Sequence, residues 1–248
     1  QRNNCSNLDL FVNSAVCEVD DVVGQKILKR LQRTRILAYS EEVDDAQQRV
    51  AQQQFWWVDP IDGTRGYLGD EKEYGVSVGL VIENVPVLGV LYQPAYRKLF
   101  YAVDHAGARV KNLETGEEKV LAVSLRTGGD AVAVRGTQFS EKVEAIYDSL
   151  HLSQRIGPMG SFTAKVLAIA EGRGDVYVKL GDKCNEWDSC AVDVILQEAG
   201  GTITDIEGNK IYYNKLIPKQ SIGVVVSNNR YHEVIVKEVR DYVVGRLE

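Results

Sequence analysis

The sequence predicts a mixed fold of the α+β or α/β class, in which helices cover β-sheets. Two patterns support this. β-branched and aromatic runs are separated by short turns between residues 74 and 110, and helical and strand-like segments alternate after about residue 121. Hydrophobic residues make up 44% of the 248 residues and charged residues 26%, which is ordinary for a globular protein. A chain of this length can bury a core without disulfide or metal crosslinks.

The first half of the chain combines one amphipathic helix with several short strands. Between residues 18 and 32, apolar side chains recur at helical spacing, and the lysines and arginines occupy the other positions. The polar segment 44–54 is compatible with either a helix or a loop. Short turns separate the later strands, which favours antiparallel pairing in a meander. Strands are predicted at residues 36–39, 55–58, 74–82, 85–93 and 99–103.

The second half alternates between the two kinds of element. Helices are predicted at residues 141–150, 163–170, 187–199 and 231–244. Strands are predicted at residues 131–134, 175–180, 202–204 and 222–226. This alternation is typical of helices that cover a sheet. We therefore expect two packed lobes of one unit, divided near residue 121.

Charge and hydropathy exclude several classes of protein. The chain has 29 Lys and Arg residues against 35 Asp and Glu residues, a formal net charge of −6. This acidic balance argues against binding to a nucleic-acid polymer, which requires a basic surface. No apolar run approaches the ~18 residues of a membrane span, so we expect no membrane association. Trp56 and Trp57 flank a predicted buried strand and are expected in the core rather than on a base-stacking surface.

The cysteines and the N-terminal segment suggest a cytoplasmic protein. Cys5, Cys17, Cys184 and Cys190 are scattered without the spacing of a zinc or redox motif, as expected for reduced thiols, although a Cys5–Cys17 disulfide stays open. Residues 1–10 are polar and lack the apolar core of a signal peptide. We therefore expect a cytoplasmic location.

The most informative segment places two carboxylates, Asp59 and Asp62, at the end of a predicted buried strand. Pro60 makes the predicted turn between them rigid, and Gly63 lets the backbone approach a ligand closely. Thr64 lies where a short helix could begin, whose free N–H groups can bind a phosphate oxygen. Two carboxylates beside an anion site suit Mg²⁺ bound to a substrate phosphate. The alternative is a strand-ending turn with solvated acids.

Three further acidic positions strengthen the first interpretation. Glu41 closes a predicted strand, Asp188 begins an apolar helix, and Asp20 lies in the first turn of another helix. Each has a simpler explanation on its own, as a solvated loop residue or as a charge that complements a helix dipole. The histidines are isolated along the chain, so we expect no histidine-based chemistry.

Taken together, these segments resemble those of the Mg²⁺-dependent, lithium-sensitive phosphatases related to inositol monophosphatase. The segment at residues 14–20, SAVCEVD, is similar to the SPVTEAD of that family, and Ser40-Glu41-Glu42 is similar to its SEE. Residues 59–64 read DPIDGT, the family signature, unchanged. Trp187-Asp188, followed by EAGG at residues 198–201, resembles the WD…EAGG element.

The resemblance implies a layered α-β-α-β-α sandwich of the inositol monophosphatase and sugar phosphatase type. Residues 1–121 would form an N-terminal α+β lobe with the antiparallel sheet and most metal ligands. Residues 122–248 would form a C-terminal α/β lobe contributing Asp188 and the substrate pocket. Two or three Mg²⁺ ions are the implied cofactor. The implied metal ligands are Glu41, Asp59, the Ile61 carbonyl, Asp62 and Asp188.

The resemblance also implies roles in catalysis and in substrate binding. Asp20 would hydrogen-bond Thr64, and Thr64 would orient and help to deprotonate the attacking water. The Gly63 and Thr64 amides would bind the phosphate. The other implied substrate-binding residues are Arg65, Ser161, Lys165 and Asp188.

Weaker features indicate the substrate. The continuation GTRGYL at residues 63–68, the EWD at residues 186–188 and Lys165 are similar to 3′(2′),5′-bisphosphate nucleotidases, which remove the 3′-phosphate of adenosine 3′,5′-bisphosphate (PAP). The alternatives are an inositol-1-phosphate or other sugar-phosphate monophosphatase and a catalytically silent nucleotide-binding relative. The expected partner is a small phosphate ester, and the expected state is a monomer or homodimer.

Overall fold

The structure, a computed structural model, describes residues 18–68 and 72–244. Its helices are α1 (Glu18–Leu31), α2 (Ala46–Val50), α3 (Thr64–Leu68), α4 (Glu141–Ser149), α5 (Phe162–Ala170), α6 (Glu186–Glu198) and α7 (His232–Val244). The first group of strands is β1 (Ala38–Ser40), β2 (Gln54–Asp62), β3 (Gly75–Ile82), β4 (Val85–Gln93), β5 (Lys98–Val103), β6 (Ala108–Asn112) and β7 (Glu118–Val120). The second group is β8 (Val132–Gly136), β9 (Gln154–Met159), β10 (Val176–Leu180), β11 (Thr202–Asp205) and β12 (Gly223–Ser227).

Within the described residues these strands form two sheets. The seven-stranded sheet keeps the chain order from β1 to β7. Its first two strands are parallel and the others pair antiparallel, which confirms the predicted meander. The five-stranded sheet has the order β11-β12-β10-β8-β9 and mixes parallel with antiparallel pairs.

Helices cover both sheets and separate them, so the fold is the expected layered sandwich. Helix α1 packs on β1 and β2, α5 and α6 lie between the two sheets, and α4 and α7 cover the second sheet. The main core cluster joins apolar residues of both sheets with those of α5 and α6. It includes Trp57, which confirms that the tryptophans belong to the core. None of the described helices combines the length and the apolar character needed to cross a membrane.

Two glycines bring α6 into direct contact with the first sheet. Gly79 of β3 and Gly89 of β4 are register partners. A Cβ at Gly79 would lie 2.4 Å from the Cys190 Sγ, and one at Gly89 would lie 2.1 Å from the Ala191 carbonyl oxygen. Larger residues at either position would push the helix away, so these glycines set the height of α6 above the sheet.

The predicted elements are largely confirmed, with three additional strands. Strand β9 was not predicted because its sequence, QRIGPM, has only one β-branched residue and contains both Gly and Pro. Strand β6 was covered only by the general β-like pattern, and β7 is an exposed edge strand with the sequence EKV. The polar segment 44–54 contains helix α2.

The predicted turn at Pro60 is wrong, because β2 continues through this residue to Asp62. Pairing between β2 and β3 is irregular between Asp59 and Asp62. An irregular stretch tolerates proline because no ladder hydrogen bond is required of its missing N–H group.

The boundary between the proposed lobes stays a prediction. The first sheet ends at Val120 and the second begins at Val132, on either side of residue 121. Cys184 and Cys190 are buried free thiols, as expected. The possible Cys5–Cys17 disulfide lies outside the described residues.

Candidate active site

Parallel pairing of β1 and β2 brings the first acidic groups to one edge of the sheet. Ser40 pairs in register with Val58, and the Glu41 N–H donates a hydrogen bond to the Val58 carbonyl oxygen at 3.3 Å. Parallel strands end at the same edge of a sheet. Glu41, the residue after Ser40, therefore lies close to Asp59, the residue after Val58.

Three carboxylates converge at this edge. Asp59 and Asp62 of β2 and Asp188 of α6 each contribute an oxygen, and these oxygens all lie within 4.8 Å of one another. Asp59 and Asp62 are buried, with 1% and 7% of their surface exposed. Such a group of oxygen atoms is suited to a hard divalent cation. The sequence therefore identified three residues that the fold brings together from distant segments.

The N-terminus of α6 orients Asp188. Asn185 is the N-cap residue, and Asp188 completes a capping box by accepting a hydrogen bond from the Asn185 N–H at 2.7 Å. This bond engages one carboxylate oxygen, Oδ2, and restrains the side-chain rotamer. Asp188 thus caps the helix, the simpler role considered above, and also faces the other two carboxylates.

Two hydroxyl residues at the start of α5 hold Asp62. The Thr163 N–H donates to Asp62 Oδ2 at 2.9 Å, and the Ser161 and Thr163 hydroxyls both donate to the same oxygen. Ser161 is also the N-cap of α5 and accepts the Ala164 N–H at 3.0 Å. Ser161, expected to bind substrate, therefore positions Asp62 in this structure. Sequence reasoning missed Thr163, although an S-x-T segment before an apolar run is a typical helix N-terminus.

Burial and repulsion by neighbouring charges raise the pKa of three carboxylates at this site, Asp59, Asp188 and Glu41. Burial and the neighbouring charges, first that of Asp62, hold the pKa of Asp59 well above its usual range. Burial and the charge of Asp62 raise the pKa of Asp188 to about 7. Glu41 is exposed at the rim, but desolvation of its carboxylate and the charge of Asp188 raise its pKa to about 8. Bringing these negative charges together is unfavourable unless a proton or a cation compensates them.

An unpartnered oxygen shows that the residues fit a metal ion. Among the described residues, the buried Asp59 Oδ1 has no hydrogen-bond partner. A buried carboxylate oxygen in this condition is costly unless it is protonated or coordinates a cation. The donors are all oxygen atoms, which matches the preference of Mg²⁺.

The two predicted catalytic residues lie beside this cluster. Asp20 on α1 is buried, and its negative charge contributes to the raised pKa of both Glu41 and Asp59. A Cβ at Gly24 of α1 would be only 3.0 Å from the Pro60 Cγ, so α1 packs closely on β2. The Thr64 hydroxyl donates a hydrogen bond to the Ile61 carbonyl oxygen at 3.0 Å, which joins a predicted catalytic group to a predicted metal ligand.

Gly63 occupies a position that favours glycine on conformational and steric grounds. Its φ is +87°, and a Cβ here would lie 3.0 Å from the Glu73 carbonyl oxygen and 3.1 Å from the Ser161 Cβ. The backbone of Arg65 follows in α3, while its side chain is not among the described parts of the structure.

Two lysines lie on the side of the site formed by the second half of the chain. The buried Lys165 Nζ donates to the Gly160 and Ser161 carbonyl oxygens, both at 2.9 Å, and burial lowers its pKa to about 8. The Lys179 Nζ lies 5.6 Å from the centre of the Phe162 ring, and its charge lowers the pKa of Asp188. Neither lysine forms an ion pair within the described residues. Sequence reasoning missed Lys179, for which no local motif exists.

The EAGG segment has a structural role. Glu198 accepts hydrogen bonds from the His105 N–H at 2.9 Å and the Gly107 N–H at 2.6 Å, and so ties α6 to the loop between β5 and β6. Gly200 has a φ of +93°, which favours glycine at the end of α6. A second group of possible metal ligands, Asp104, His105 and Glu198, lies at this loop, and two of its members are exposed.

Comparison with known proteins agrees with the motifs and the geometry. The sequence model that defines the inositol monophosphatase family matches residues 6–243 of this chain. The 3′(2′),5′-bisphosphate nucleotidase CysQ of Aggregatibacter actinomycetemcomitans is 31% identical over 210 residues, covering 82% of this chain and 76% of that protein. The corresponding enzyme of Haemophilus influenzae is 29% identical over 207 residues, covering 82% of this chain and 76% of its own.

Solved structures show the same fold. An inositol monophosphatase from Thermotoga maritima superimposes with a TM-score of 0.78 at 23% identity, covering 96% of this chain and 87% of that one. CysQ from Bacteroides thetaiotaomicron superimposes with a TM-score of 0.76 at 23% identity, covering 91% of this chain and 90% of that one. With the family model matching nearly the whole sequence, the chain belongs to the inositol monophosphatase family.

Proposed function

We propose that this protein is a Mg²⁺-dependent phosphomonoesterase that hydrolyses the 3′-phosphate of PAP to give AMP and inorganic phosphate. The convergence of Asp59, Asp62 and Asp188, with an oxygen from each inside a 4.8 Å group, is the observation that carries the proposal. A site made of carboxylates suits metal-assisted hydrolysis of a phosphate ester.

The metal ligands we propose are the carboxylates of Glu41, Asp59, Asp62 and Asp188 and the carbonyl oxygen of Ile61, which together would hold two or three Mg²⁺ ions. When bound, Mg²⁺ lowers the pKa of a coordinated water and stabilises the negative charge of the departing alkoxide. The unpartnered Asp59 Oδ1 supports this assignment, as does the raised pKa of Asp59.

The chain's own polar groups would then position the reactants. The Thr64 hydroxyl donates its hydrogen to the Ile61 carbonyl, so its oxygen is left to accept a hydrogen bond from the attacking water. For the buried Asp20 carboxylate to take up a proton as the water gives its own to Thr64, the Thr64 hydroxyl would have to donate to Asp20 in place of the Ile61 carbonyl. The Gly63 and Thr64 amides would bind phosphate oxygens. Water is the nucleophile in this proposal, since the Ser161 and Thr163 hydroxyls are engaged with Asp62.

Two observations support a substrate that carries a second phosphate. The first is the similarity to relatives that are named 3′(2′),5′-bisphosphate nucleotidases, at 31% and 29% identity. The second is the pair Lys165 and Lys179, two cations without a carboxylate partner among the described residues, on one side of the site. A second phosphate would give these two lysines a negatively charged partner. Arg65 and the Asp188 carboxylate are further proposed substrate contacts.

A second candidate function is hydrolysis of inositol-1-phosphate. An inositol-1-monophosphatase from Synechocystis is 33% identical over 151 residues, covering 60% of this chain and 52% of that protein. The metal site would serve both reactions, so only the substrate contacts distinguish the two candidates.

Phosphate release from PAP and from inositol-1-phosphate, measured side by side with Mg²⁺, tests both candidates. We expect a higher kcat/KM for PAP, loss of activity with EDTA and inhibition by lithium. A preference for the inositol ester would change the proposed substrate and leave the proposed metal site unchanged. Absence of release from either ester would contradict the proposed enzyme activity and favour a silent binding protein.

A further inference from the structure

A fully buried arginine contacts segments that carry the acidic cluster without belonging to the cluster. Arg49 of α2 has 0% of its surface exposed. Its Nε and Nη2 donate to the two Asp44 carboxylate oxygens at 2.8 and 3.1 Å. Its Nη1 donates to the Asn214 Oδ1 at 3.3 Å and to the Lys215 carbonyl oxygen at 3.1 Å. Every nitrogen of the guanidinium is therefore engaged.

The same guanidinium stacks on an aromatic residue of β2. The Arg49 Cζ lies 4.7 Å from the centre of the Trp57 ring. The Trp57 Nε1 in turn donates a hydrogen bond to the Glu186 Oε2 at 3.1 Å. Trp57 therefore joins the buried arginine to a buried glutamate.

Glu186, also 0% exposed, closes the network. Its carboxylate accepts the Asn214 N–H at 2.7 Å and the Lys215 N–H at 3.0 Å. The same two residues contact Arg49 through the Asn214 side chain and the Lys215 carbonyl. Arg49, Trp57, Glu186 and the 214–215 segment thus form a closed ring of contacts, which we call the buried ring. Asp44 is attached to it through Arg49.

Two members of this ring, together with the attached Asp44, lie on the three segments that carry the proposed metal-binding carboxylates. Asp44 follows Glu41 in the loop after β1, Trp57 precedes Asp59 on β2, and Glu186 is the first residue of α6, two positions before Asp188. Removing two opposite charges from water is unfavourable, and apolar residues would fill the same space at less cost. Stability therefore does not account for this arrangement of buried charges, whereas a role in fixing the relative positions of the three segments does.

We propose that Arg49 and Glu186 are positioning residues that set the spacing of the metal-binding carboxylates through the buried ring. The inference rests on the metal site of the proposed function but not on the identity of the substrate. Hydrogen-bonded groups behind metal ligands commonly tune metal affinity, because they restrain the ligand segments before the ion binds.

Asp44 offers a test that leaves every member of the buried ring in place. Asp44→Asn removes the charged partner of Arg49 but keeps a side chain of the same size on the loop. Asp45→Asn is the matched control: the neighbouring acid loses the same charge, while Asn still accepts the Gln48 N–H as N-cap of α2. Mn²⁺ affinity, measured by titration calorimetry on the full chain, should fall about tenfold for Asp44→Asn and stay within about twofold of the wild type for Asp45→Asn.

Substitution of the arginine itself gives the second comparison. Arg49→Met should weaken Mn²⁺ binding more than Asp44→Asn does, and Arg49→Lys should recover part of the loss because it retains the positive charge. Near-UV circular dichroism, which reports on the packing of Trp57, checks that each variant is folded. If Arg49→Met does not fold, Asp44→Asn and its control decide the question.

The outcomes separate the two proposals. Wild-type affinity in folded Asp44→Asn or Arg49→Met would overturn the positioning role and leave the metal site untouched. Equal losses in Asp44→Asn and Asp45→Asn would also overturn it, because charge alone would then explain the effect. A wild-type chain that binds no Mn²⁺ would overturn the metal site itself, and with it this inference.

Discussion

Gly79 and Gly89 face each other across β3 and β4, and their missing side chains let α6 rest on the backbone of the sheet. The helix residues in contact, Cys190 and Ala191, come two and three positions after Asp188. The position of one acidic group of the candidate active site therefore depends on two residues that carry no functional group.

Gly89→Ala is accordingly expected to destabilise the protein by about 2–3 kcal/mol, because the added Cβ meets the Ala191 backbone, which cannot move aside as a side chain can. Urea denaturation measures the change. Gly129→Ala is the control, since a Cβ there has only the His151 carbonyl oxygen nearby, at 3.6 Å. We expect the control to change stability by no more than about 0.5 kcal/mol. A similar small effect at Gly89 would show that α6 does not rest on the sheet.

Asp59→Asn should have opposite effects on stability and on activity. In EDTA the variant should melt at a higher temperature than the wild type, because a neutral side chain avoids both the burial of a charge and the repulsion by Asp62, which together raise the pKa of Asp59. Addition of Mg²⁺ should raise the melting temperature of the wild type but not that of the variant. The kcat of the variant should be at least about a hundredfold lower than that of the wild type. The control Asp130→Asn alters an exposed acid and should keep both the Mg²⁺ response and the activity. A normal Mg²⁺ response in Asp59→Asn would exclude this carboxylate as a ligand.

Lys179→Ala should distinguish a bisphosphate substrate from a simple sugar phosphate. Loss of a charged hydrogen-bonding partner for the second phosphate should raise KM for PAP about tenfold or more and change KM for inositol-1-phosphate little. Steady-state phosphate release with both esters gives the two ratios. Lys142→Ala, an exposed lysine on α4, serves as the control. Equal effects on both esters would remove Lys179 from the proposed contact with the second phosphate.

His232 should make stability depend on pH in the acid range. Its ring nitrogens are within 2.9 Å of the Ser227 and Thr204 hydroxyl oxygens, and burial lowers its pKa from 6.5 to about 4. Between these values the unfolded chain binds more protons than the folded one, so the contribution is complete above pH 6.5 and is lost as the pH falls towards 4. The loss should amount to about 2–3 kcal/mol.

Denaturation of His232→Gln at several pH values tests this. The stability difference between wild type and variant should shrink as the pH falls from 6.5 to 4. The control is His151→Asn, which changes an exposed histidine at a φ of +56° that asparagine tolerates. A difference that does not vary with pH would show that His232 is not protonated on unfolding in this range.

Much of the candidate site could be predicted because its motifs are local. The two acids of DPIDGT are only three positions apart on one strand, and Asp188 begins a helix whose apolar spacing is regular. The turn expected at Pro60 was wrong, because the irregular pairing of β2 with β3 accommodates the proline within the strand. The predicted roles of Ser161 and Lys165 in substrate binding stay untested, although the structure shows the backbone and side-chain groups that both contact.

Local patterns in the chain were thus sufficient to predict a mixed α and β fold and most helices and strands, and the family resemblance of its motifs added the carboxylates that meet at the site. They could not reveal the buried ring, because Arg49 lies in a polar, glutamine-rich segment and its partner Asn214 is 165 positions away. Nor could they show that Thr163 hydrogen-bonds Asp62, or that Gly79 and Gly89 allow α6 to pack against the first sheet. Contacts of this kind depend on how distant elements pack, and close packing is settled only when the whole chain has folded.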